Sequence, residues 1–176
     1  MNRQPAVFFD RDGTLMEEVD YCRDPKLVLA FPGVQQALEK LHARGFKNVI
    51  VTNQSGIGRG RITPAEYEAV HAALLDQIGA HTIDATYFCP DVPGPPSTHR
   101  KPEPGMVLDA ARDLNLDLGR SFFVGDKNSD IECGKRAGVR TILVETGYGK
   151  DQDSSPDFRT KGVVEAVERI LAQAPE

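Results

Sequence analysis

Two carboxylates separated by one residue, Asp10 and Asp12, are the first residues of this sequence that could do chemistry. They follow the apolar run 6–9 and precede Gly13 and Thr14. Carboxylates this close repel each other unless a cation or a shared proton compensates, so the pair indicates a Mg²⁺ site combined with acid–base chemistry. A carboxylate can also act as a nucleophile. The same pattern is equally typical of a strand that ends in an acidic turn, so the pair alone leaves both interpretations open.

Two further apolar runs also end in polar residues. Residues 49–51 are followed by Thr52 and Asn53, and residues 121–124 are followed, after one glycine, by Asp126. The carboxyl ends of parallel strands meet at one edge of a sheet, which is where open α/β sheets bind their ligands. If the three runs are neighbouring strands, the sequence predicts that their polar residues form one site.

The elements that must position these residues alternate between strand and helix. Apolar runs predict five strands, at 6–9, 49–53, 85–89, 121–124 and 141–144. Helical spacing and end signals predict five helices, at 34–44, 64–78, 105–114, 131–137 and 163–172. This alternation predicts an α/β fold: a three-layer, Rossmann-like parallel sheet with helices on both faces, in one domain over residues 1–176. Residues 15–32, 90–104 and 147–160 are predicted to be loops.

Composition limits the possible partners and the location. The 176 residues carry 21 basic and 26 acidic side chains, a formal net charge of −5, with no basic run that would favour nucleic acid. No apolar segment reaches membrane-spanning length, and the N-terminus shows no signal-peptide pattern. The three cysteines are not closely spaced, which is typical of a reducing compartment. We therefore expect a cytoplasmic monomer that acts on a small molecule, not on nucleic acid or a membrane.

The polar residues occur in the order of a known superfamily. Over nearly its whole length the chain resembles the haloacid dehalogenase superfamily of phosphatases. The matching motifs are Asp10-x-Asp12, Thr52, Lys101 and Asp126-x-x-x-Asp130. Each residue taken singly has an ordinary structural explanation, such as a helix cap or a surface lysine. Their joint occurrence at the predicted strand ends favours catalysis.

The resemblance implies a reaction and a role for each motif. The reaction would be phosphate monoester hydrolysis through an aspartyl-phosphate intermediate, with Asp10 as the nucleophile. Asp12 would protonate the leaving group and then help to deprotonate the hydrolytic water. Thr52 and Lys101 would bind the phosphoryl oxygens. Phosphoryl transfer requires the positive charge that Lys101 and a metal cation would supply.

The resemblance also implies a Mg²⁺ cofactor. Its protein ligands would be Asp10, the backbone carbonyl of Asp12, and Asp126, since Mg²⁺ prefers oxygen ligands. Asp130 would lie behind this set and orient either Lys101 or a water molecule on the metal.

The finer pattern is similar to one branch of the superfamily, the histidinol-phosphate and heptose-bisphosphate phosphatases. The segment 53–60, Asn-Gln-Ser-Gly-Ile-Gly-Arg-Gly, is closer to the heptose-bisphosphate group, which implies a sugar bisphosphate substrate. Histidinol phosphate is the enzymatic alternative, and a phosphate-binding module without turnover is the non-enzymatic one. By position in the pattern, the substrate-binding residues would be Glu18, Val19, Asp20, Tyr21, Asn53, Gln54, Ser55, Arg100 and Lys127.

Two features set this sequence apart within that branch. Residues 14–49 and 53–100 are too short to contain a large cap domain, so loops must recognise the substrate. Relatives often bind a structural zinc through Cys-x-His and Cys-x-Cys, but here only Cys89 and His99 are good ligands, while Asp91 and Ser97 occupy the other positions. Structural zinc sites favour four Cys or His ligands, so we expect that this site has been lost.

Overall fold

The structure is a computed structural model that describes residues 3–173. It contains one six-stranded sheet. The strands are β1 (Ala6–Phe9), β2 (Lys47–Asn53), β3 (Ala85–Cys89), β4 (Phe122–Gly125), β5 (Arg140–Val144) and β6 (Phe158–Thr160). Their order across the sheet is β3-β2-β1-β4-β5-β6, and every neighbouring pair is parallel. The predicted fold class is therefore confirmed.

Helices cover both faces of the sheet. They are α1 (Val34–Ala43), α2 (Ser55–Gly58), α3 (Pro64–Ile78), α4 (Gly105–Asp113), α5 (Asn128–Ala137) and α6 (Val163–Gln173). In β1, Val7 and Phe9 contribute to the core that also contains buried residues of α1, α3 and α6. Ala6 and Phe8 contribute to the opposite core, with buried residues of α4 and α5. This alternation, together with full burial of all four side chains, places β1 at the centre of three layers.

The sequence missed two short elements. β6 (Phe158–Thr160) lies within the predicted loop 147–160, and α2 (Ser55–Gly58) is a single turn after β2. Elements of three or four residues are too short to show a hydrophobic period, so nothing in the local pattern distinguishes them from loop.

Helix α5 begins at Asn128, three residues before the predicted start. The reason is an acidic residue in its first turn. The Asp130 carboxylate accepts hydrogen bonds from the backbone N–H groups of Asp126 and Lys127, at 3.1 and 3.0 Å. These bonds satisfy donors at the start of the helix that have no partner inside it.

No large cap domain is inserted anywhere in residues 3–173. Between β1 and β2 the chain forms an irregular segment with one 3₁₀ turn and then α1, and between β2 and Lys101 it forms only α2, α3, one further 3₁₀ turn, β3 and a loop. Within the same residues, every helix is too short or too polar to cross a lipid bilayer.

Helix α3 begins with a capping box, in which Thr63 and Glu66 exchange hydrogen bonds. Further along the same helix, His71 is buried and stacks on Tyr67, with ring centroids 5.8 Å apart. Its Nε2 lies 3.1 Å from the Thr86 hydroxyl. Burial and, to a smaller extent, the positive charge of Arg11 lower the pKa of His71 to about 4. The imidazole is therefore neutral in the folded protein at neutral pH.

This buried imidazole should make stability depend on pH. Because the folded pKa lies below the ordinary value of 6.5, the unfolded chain binds more protons between pH 6.5 and 4. The contribution of His71 to the free energy of unfolding should fall by on the order of 3 kcal/mol as pH decreases over that interval. We expect His71→Leu to lose most of this dependence in urea unfolding at pH 4.5 and 7, and the exposed control His81→Leu to retain it. If the free energy of unfolding changed equally with pH in His71→Leu and in the unmodified protein, the assignment of this pH dependence to His71 would be contradicted.

Candidate active site

The polar strand ends converge as the sequence predicts. Asp10 follows β1, Thr52 is the penultimate residue of β2, and Asp126 follows β4, so the three lie on adjacent strands at one edge of the sheet. The backbone N–H of Asp10 donates to the carbonyl of Val124, at 3.0 Å, which extends the β1–β4 pairing to the site itself. All three side chains are buried.

A buried lysine joins these strand ends. The Lys101 Nζ lies 2.8 Å from Asp10 Oδ1, 2.7 Å from Asp130 Oδ1 and 2.8 Å from the carbonyl oxygen of Val51. The ammonium group donates hydrogen bonds to Asp10 and to the Val51 carbonyl and forms an ion pair with Asp130. The Asn53 side chain holds the Lys101 backbone at both its N–H and its carbonyl, at 3.0 and 3.1 Å. Lys101 is thereby fixed in place although it comes from a loop.

The charges in this cluster determine its protonation. Burial alone would raise the pKa of Asp10, but the neighbouring Lys101 and, less strongly, Lys127 lower it below its ordinary value. Burial alone would lower the pKa of Lys101, but the charges of Asp10 and Asp130 raise it. Asp10 is therefore a carboxylate, the form that can attack an electrophile, and Lys101 is an ammonium.

Three carboxylates share the space around this ammonium. One oxygen from each of Asp10, Asp126 and Asp130 lies within 4.8 Å of the other two, and all three side chains are buried. Asp126 Oδ2 accepts from the Tyr148 N–H at 2.9 Å, while Asp126 Oδ1 is buried without a hydrogen-bond partner. Burial, followed by the charges of Asp10 and Asp130, raises the pKa of Asp126 to about 8. A surplus of buried carboxylate oxygens, one of them unsatisfied, fits a hard divalent cation such as Mg²⁺.

Two glycines make room for this cluster. Gly13 has a φ of +82°, and a Cβ there would lie 2.3 Å from Asp126 Oδ2. A Cβ on Gly125 would lie 2.4 Å from the Cβ of Asp130. Both distances are far below van der Waals contact, so larger residues at these positions would displace the carboxylates.

The Asp12 side chain lies apart from the three clustered carboxylates. It forms a two-point ion pair with Arg11, and its Oδ2 also accepts from Gln54 at 2.9 Å. The metal contact expected for Asp12 uses its backbone carbonyl and stays a prediction.

Two adjoining clefts open above these residues, with volumes of about 160 and 190 Å³. The first contains the core residues, and the second contains residues 18–22 of the loop after β1. The first is lined by Asp10, Asp12, Thr52, Asn53, Ser55, Arg100, Lys101, Lys127, Ser129 and Asp130. The second is lined by Asp12, Glu18, Val19, Asp20, Tyr21, Cys22, Asn53, Ser55, Gly56, Lys127 and Tyr148. The two clefts are continuous, because they share four lining residues: Asp12, Asn53, Ser55 and Lys127.

Comparisons with known proteins agree with this geometry. Residues 98–170 match a family model described as HAD-hydrolase-like. The D-glycero-D-manno-heptose-1,7-bisphosphate 7-phosphatase of Thermosynechococcus vestitus is 38% identical, over 95% of each chain. The chain belongs to the haloacid dehalogenase-like phosphatases.

Other members of this phosphatase family match over most of their length. The D-glycero-beta-D-manno-heptose-1,7-bisphosphate 7-phosphatase of Escherichia coli K12 is 37% identical, over 81% of this chain and 80% of that one. The solved structure of D,D-heptose 1,7-bisphosphate phosphatase from B. bronchiseptica, complexed with magnesium and phosphate, superimposes with a TM-score of 0.88 at 30% identity. That match covers 97% of this chain and 99% of the other.

Most of the predicted site residues of this phosphatase line the two clefts, but two do not. Asp126 lies beneath them in the carboxylate cluster. Gln54 is buried, and its Nε2 donates to Thr52 Oγ1 at 3.0 Å as well as to Asp12. Gln54 therefore supports two predicted catalytic residues in the structure.

Sequence reasoning missed two residues that bear on the site. Arg11 lies between the two motif carboxylates. Its position in the sequence was a usable signal, because an arginine there must be buried with them. Tyr148 lines the second cleft and lies 4.7 Å from the Lys127 ammonium, measured to the ring centroid. It lies in a loop without any motif, so no local signal identifies it.

The loop that carries zinc in relatives is closed here by hydrogen bonds. The Ser97 hydroxyl donates to Asp91 Oδ2 at 2.6 Å and accepts from the N–H groups of His99 and Arg100, at 3.2 and 3.0 Å. The His99 ring pairs with Asp109 at 2.8 Å. These bonds give the segment before Lys101 a defined path without requiring a metal. The absence of structural zinc stays a prediction, which metal analysis of the purified protein can check.

The carboxylate cluster predicts an unusual effect of Asp126→Asn on stability. The folded pKa of Asp126, about 8, exceeds its ordinary value of 3.8, so the folded chain binds the extra proton between these values. Without divalent cations, the ionisation of Asp126 should therefore destabilise the unmodified protein increasingly as pH rises from about 4 to 8. Asn cannot ionise, so we expect the melting temperature of the variant to exceed that of the unmodified protein increasingly over this interval, in EDTA.

Added Mg²⁺ should then raise the melting temperature of the unmodified protein but not that of Asp126→Asn. The exposed control Asp151→Asn should behave like the unmodified protein in both buffers. A variant that is less stable in EDTA at pH 8, or that Mg²⁺ stabilises equally, would contradict the cation site.

Proposed function

We propose that this chain is a Mg²⁺-dependent phosphatase that removes the 7-phosphate of D-glycero-D-manno-heptose 1,7-bisphosphate. One observation carries the proposal: Lys101 holds the ionised Asp10 at the floor of a cleft, beside an excess of buried carboxylates. The names of the relatives supply the substrate. They include both alpha and beta anomers, so the proposal specifies neither. They give no support to the alternative substrate, histidinol phosphate.

In the first half-reaction, an oxygen of Asp10 attacks the phosphorus and the bond from phosphorus to the sugar oxygen breaks. That oxygen leaves with its electron pair and takes a proton from Asp12. Lys101 and Thr52 bind the phosphoryl oxygens and offset their charge. The product is an aspartyl-phosphate and a free sugar hydroxyl.

In the second half-reaction, water attacks the phosphorus of the aspartyl-phosphate. Asp12, now ionised, takes a proton from this water, and the electron pair of the breaking bond returns to Asp10. Phosphate leaves and the starting carboxylate is restored. One side chain therefore serves as acid and then as base.

The carboxylates of Asp10 and Asp126, with the carbonyl of Asp12, would hold the Mg²⁺. When bound, the cation would offset the repulsion between the negative charges of Asp10 and the substrate phosphate. Asp130 supports this arrangement through its ion pair with Lys101. That pair matches one of the two roles expected for Asp130.

A bisphosphate substrate needs cations beyond those at the reacting phosphate. Arg100 lines the same cleft as Asp10, and its Nη1 donates to the carbonyl of Asp91 at 2.9 Å, which orients the side chain. Lys127 lines both clefts and lies 3.6 Å from Glu18. Arg59 is exposed and lines neither cleft. We therefore assign the remote phosphate to Arg100, with Lys127 between the two phosphates.

The proposal extends to the organisation of the protein. We infer a single domain over residues 1–176 that works as a monomer in the cytoplasm. The three cysteines, Cys22, Cys89 and Cys133, are buried and form no disulfide, which supports a reducing location.

Asp10→Asn tests the reaction. The amide cannot attack phosphorus, so we expect hydrolysis of heptose 1,7-bisphosphate to fall by at least about 1,000-fold, measured as phosphate release with Mg²⁺. Circular dichroism should show an unchanged fold, and the control Asp151→Asn should retain full activity. Substantial residual activity in Asp10→Asn would sink the proposal, and faster hydrolysis of histidinol phosphate by the unmodified protein would replace the substrate.

Arg100→Ala tests the remote phosphate. Losing a charged hydrogen-bonded contact costs about 2–3 kcal/mol, roughly a 30- to 150-fold loss in kcat/KM. We expect this loss on heptose 1,7-bisphosphate and a much smaller one on a sugar monophosphate. Arg59→Ala should change neither rate. Equal losses on both substrates would mean that Arg100 supports only the reacting phosphate.

A further inference from the structure

Among the cationic side chains of residues 3–173, the least exposed is one that the mechanism does not use. Arg11 lies between the two motif carboxylates, and only 1% of its surface is exposed. We propose that Arg11 is a positioning residue that holds Asp12 in place for proton transfer. This inference rests on the proposed function, because it concerns the same acid–base group.

The contact between the two side chains fixes both the position and the plane of the carboxylate. Arg11 Nε lies 2.9 Å from Asp12 Oδ2, and Arg11 Nη2 lies 3.2 Å from Asp12 Oδ1. A guanidinium that contacts both oxygens of a carboxylate restrains its rotation, which a single hydrogen bond does not. The Asp12 side chain is 15% exposed, so only a small part of it is open to the clefts.

The surroundings of Arg11 prevent the guanidinium from moving. It lies over the ring of Tyr67, with Cζ 5.4 Å from the ring centroid. That ring packs in turn on Phe88 and His71, at centroid distances of 4.5 and 5.8 Å. The backbone carbonyl of Arg11 accepts from the N–H of Leu15 at 3.0 Å, which fixes the turn around it. Separating Arg11 from Asp12 would leave a buried charge without its partner, so the pair stays together.

A second donor completes the arrangement. Gln54 Nε2 lies 2.9 Å from Asp12 Oδ2 and 3.0 Å from Thr52 Oγ1. Asp12 therefore receives three hydrogen bonds from groups that line neither cleft. Asp12 itself lines both clefts. The geometry presents the carboxylate to the substrate from a fixed direction.

This assignment predicts that the two half-reactions depend differently on Arg11. The leaving oxygen of a sugar phosphate needs the proton of Asp12. The leaving oxygen of p-nitrophenyl phosphate departs as a stable phenolate and needs none. Both substrates yield the same aspartyl-phosphate, whose hydrolysis needs Asp12 as a base. The value of kcat/KM reports only the steps up to departure of the leaving group. On p-nitrophenyl phosphate it should therefore not depend on Asp12, whereas kcat, which includes hydrolysis of the aspartyl-phosphate, should.

The experiment compares Arg11→Met, Arg11→Lys and the control Tyr67→Phe with p-nitrophenyl phosphate and heptose 1,7-bisphosphate. For Arg11→Met we expect kcat on p-nitrophenyl phosphate to fall by about 100-fold, the lower end of the range for acid–base catalysis, with kcat/KM nearly unchanged. On the heptose substrate both should fall. When the reaction with p-nitrophenyl phosphate is quenched with acid during turnover, Arg11→Met should contain more phosphoenzyme than the unmodified protein.

The variants separate position from charge and from packing. Lys keeps the positive charge but cannot contact both oxygens, so Arg11→Lys should show the same pattern in weaker form. It also serves as the test protein if Arg11→Met does not fold. Tyr67→Phe keeps the ring beneath Arg11 and removes a hydroxyl that has no hydrogen-bond partner, so its kinetics should match the unmodified protein.

Two results would overturn the inference. A loss of kcat/KM on p-nitrophenyl phosphate as large as the loss of kcat would show that Arg11 supports Asp10 instead. Unchanged kinetics on both substrates would show that Asp12 needs no such support. Failure of the proposed function looks different: Asp10→Asn would remain active, and Asp12→Asn would accumulate no phosphoenzyme.

Discussion

The buried ammonium of Lys101 is the interaction on which the site depends. Without it, Asp10 and Asp130 would be buried carboxylates that lack their nearest counter-charge, which is strongly unfavourable. With it, the end of β1, the carbonyl of Val51 in β2 and the start of α5 are held to one atom. The same contact keeps Asp10 ionised and fixes a loop residue beside it in the cleft. Structural stability and reactivity therefore come from the same ion pairs.

The sheet makes this convergence possible. β1, β2 and β4 are adjacent and parallel, so polar residues that end separate runs of the sequence meet at one edge. Gly13 and Gly125 let the backbone approach Asp126 and Asp130 more closely than a side chain would allow. The resulting excess of negative charge is the physical reason to expect a divalent cation there.

Loops line the two clefts, and no cap domain covers them in residues 3–173. Residues 18–22 line one cleft, and Arg100 reaches the other from a loop that hydrogen bonds to Ser97 hold in shape. In this protein the Ser97 hydroxyl, with its three hydrogen bonds, occupies the part of the loop where the resemblance led us to expect zinc ligands. Arg11 adds a further layer beneath the clefts, where a buried ion pair fixes Asp12.

The sequence by itself determined the fold class, the strand ends and the residues of the core site, because apolar runs and the polar residues that follow them are local features. It also determined the order of the motifs, which identifies the family. Only the tertiary structure decided which partners these residues have. Lys101 meets Asp10 across 91 positions of the chain, and Gln54 turns to Asp12 across 42. The short strand β6 exists because β5 offers it an edge, and Tyr148 reaches the second cleft through a loop without any motif. Such contacts depend on how distant segments pack, and no local pattern records them.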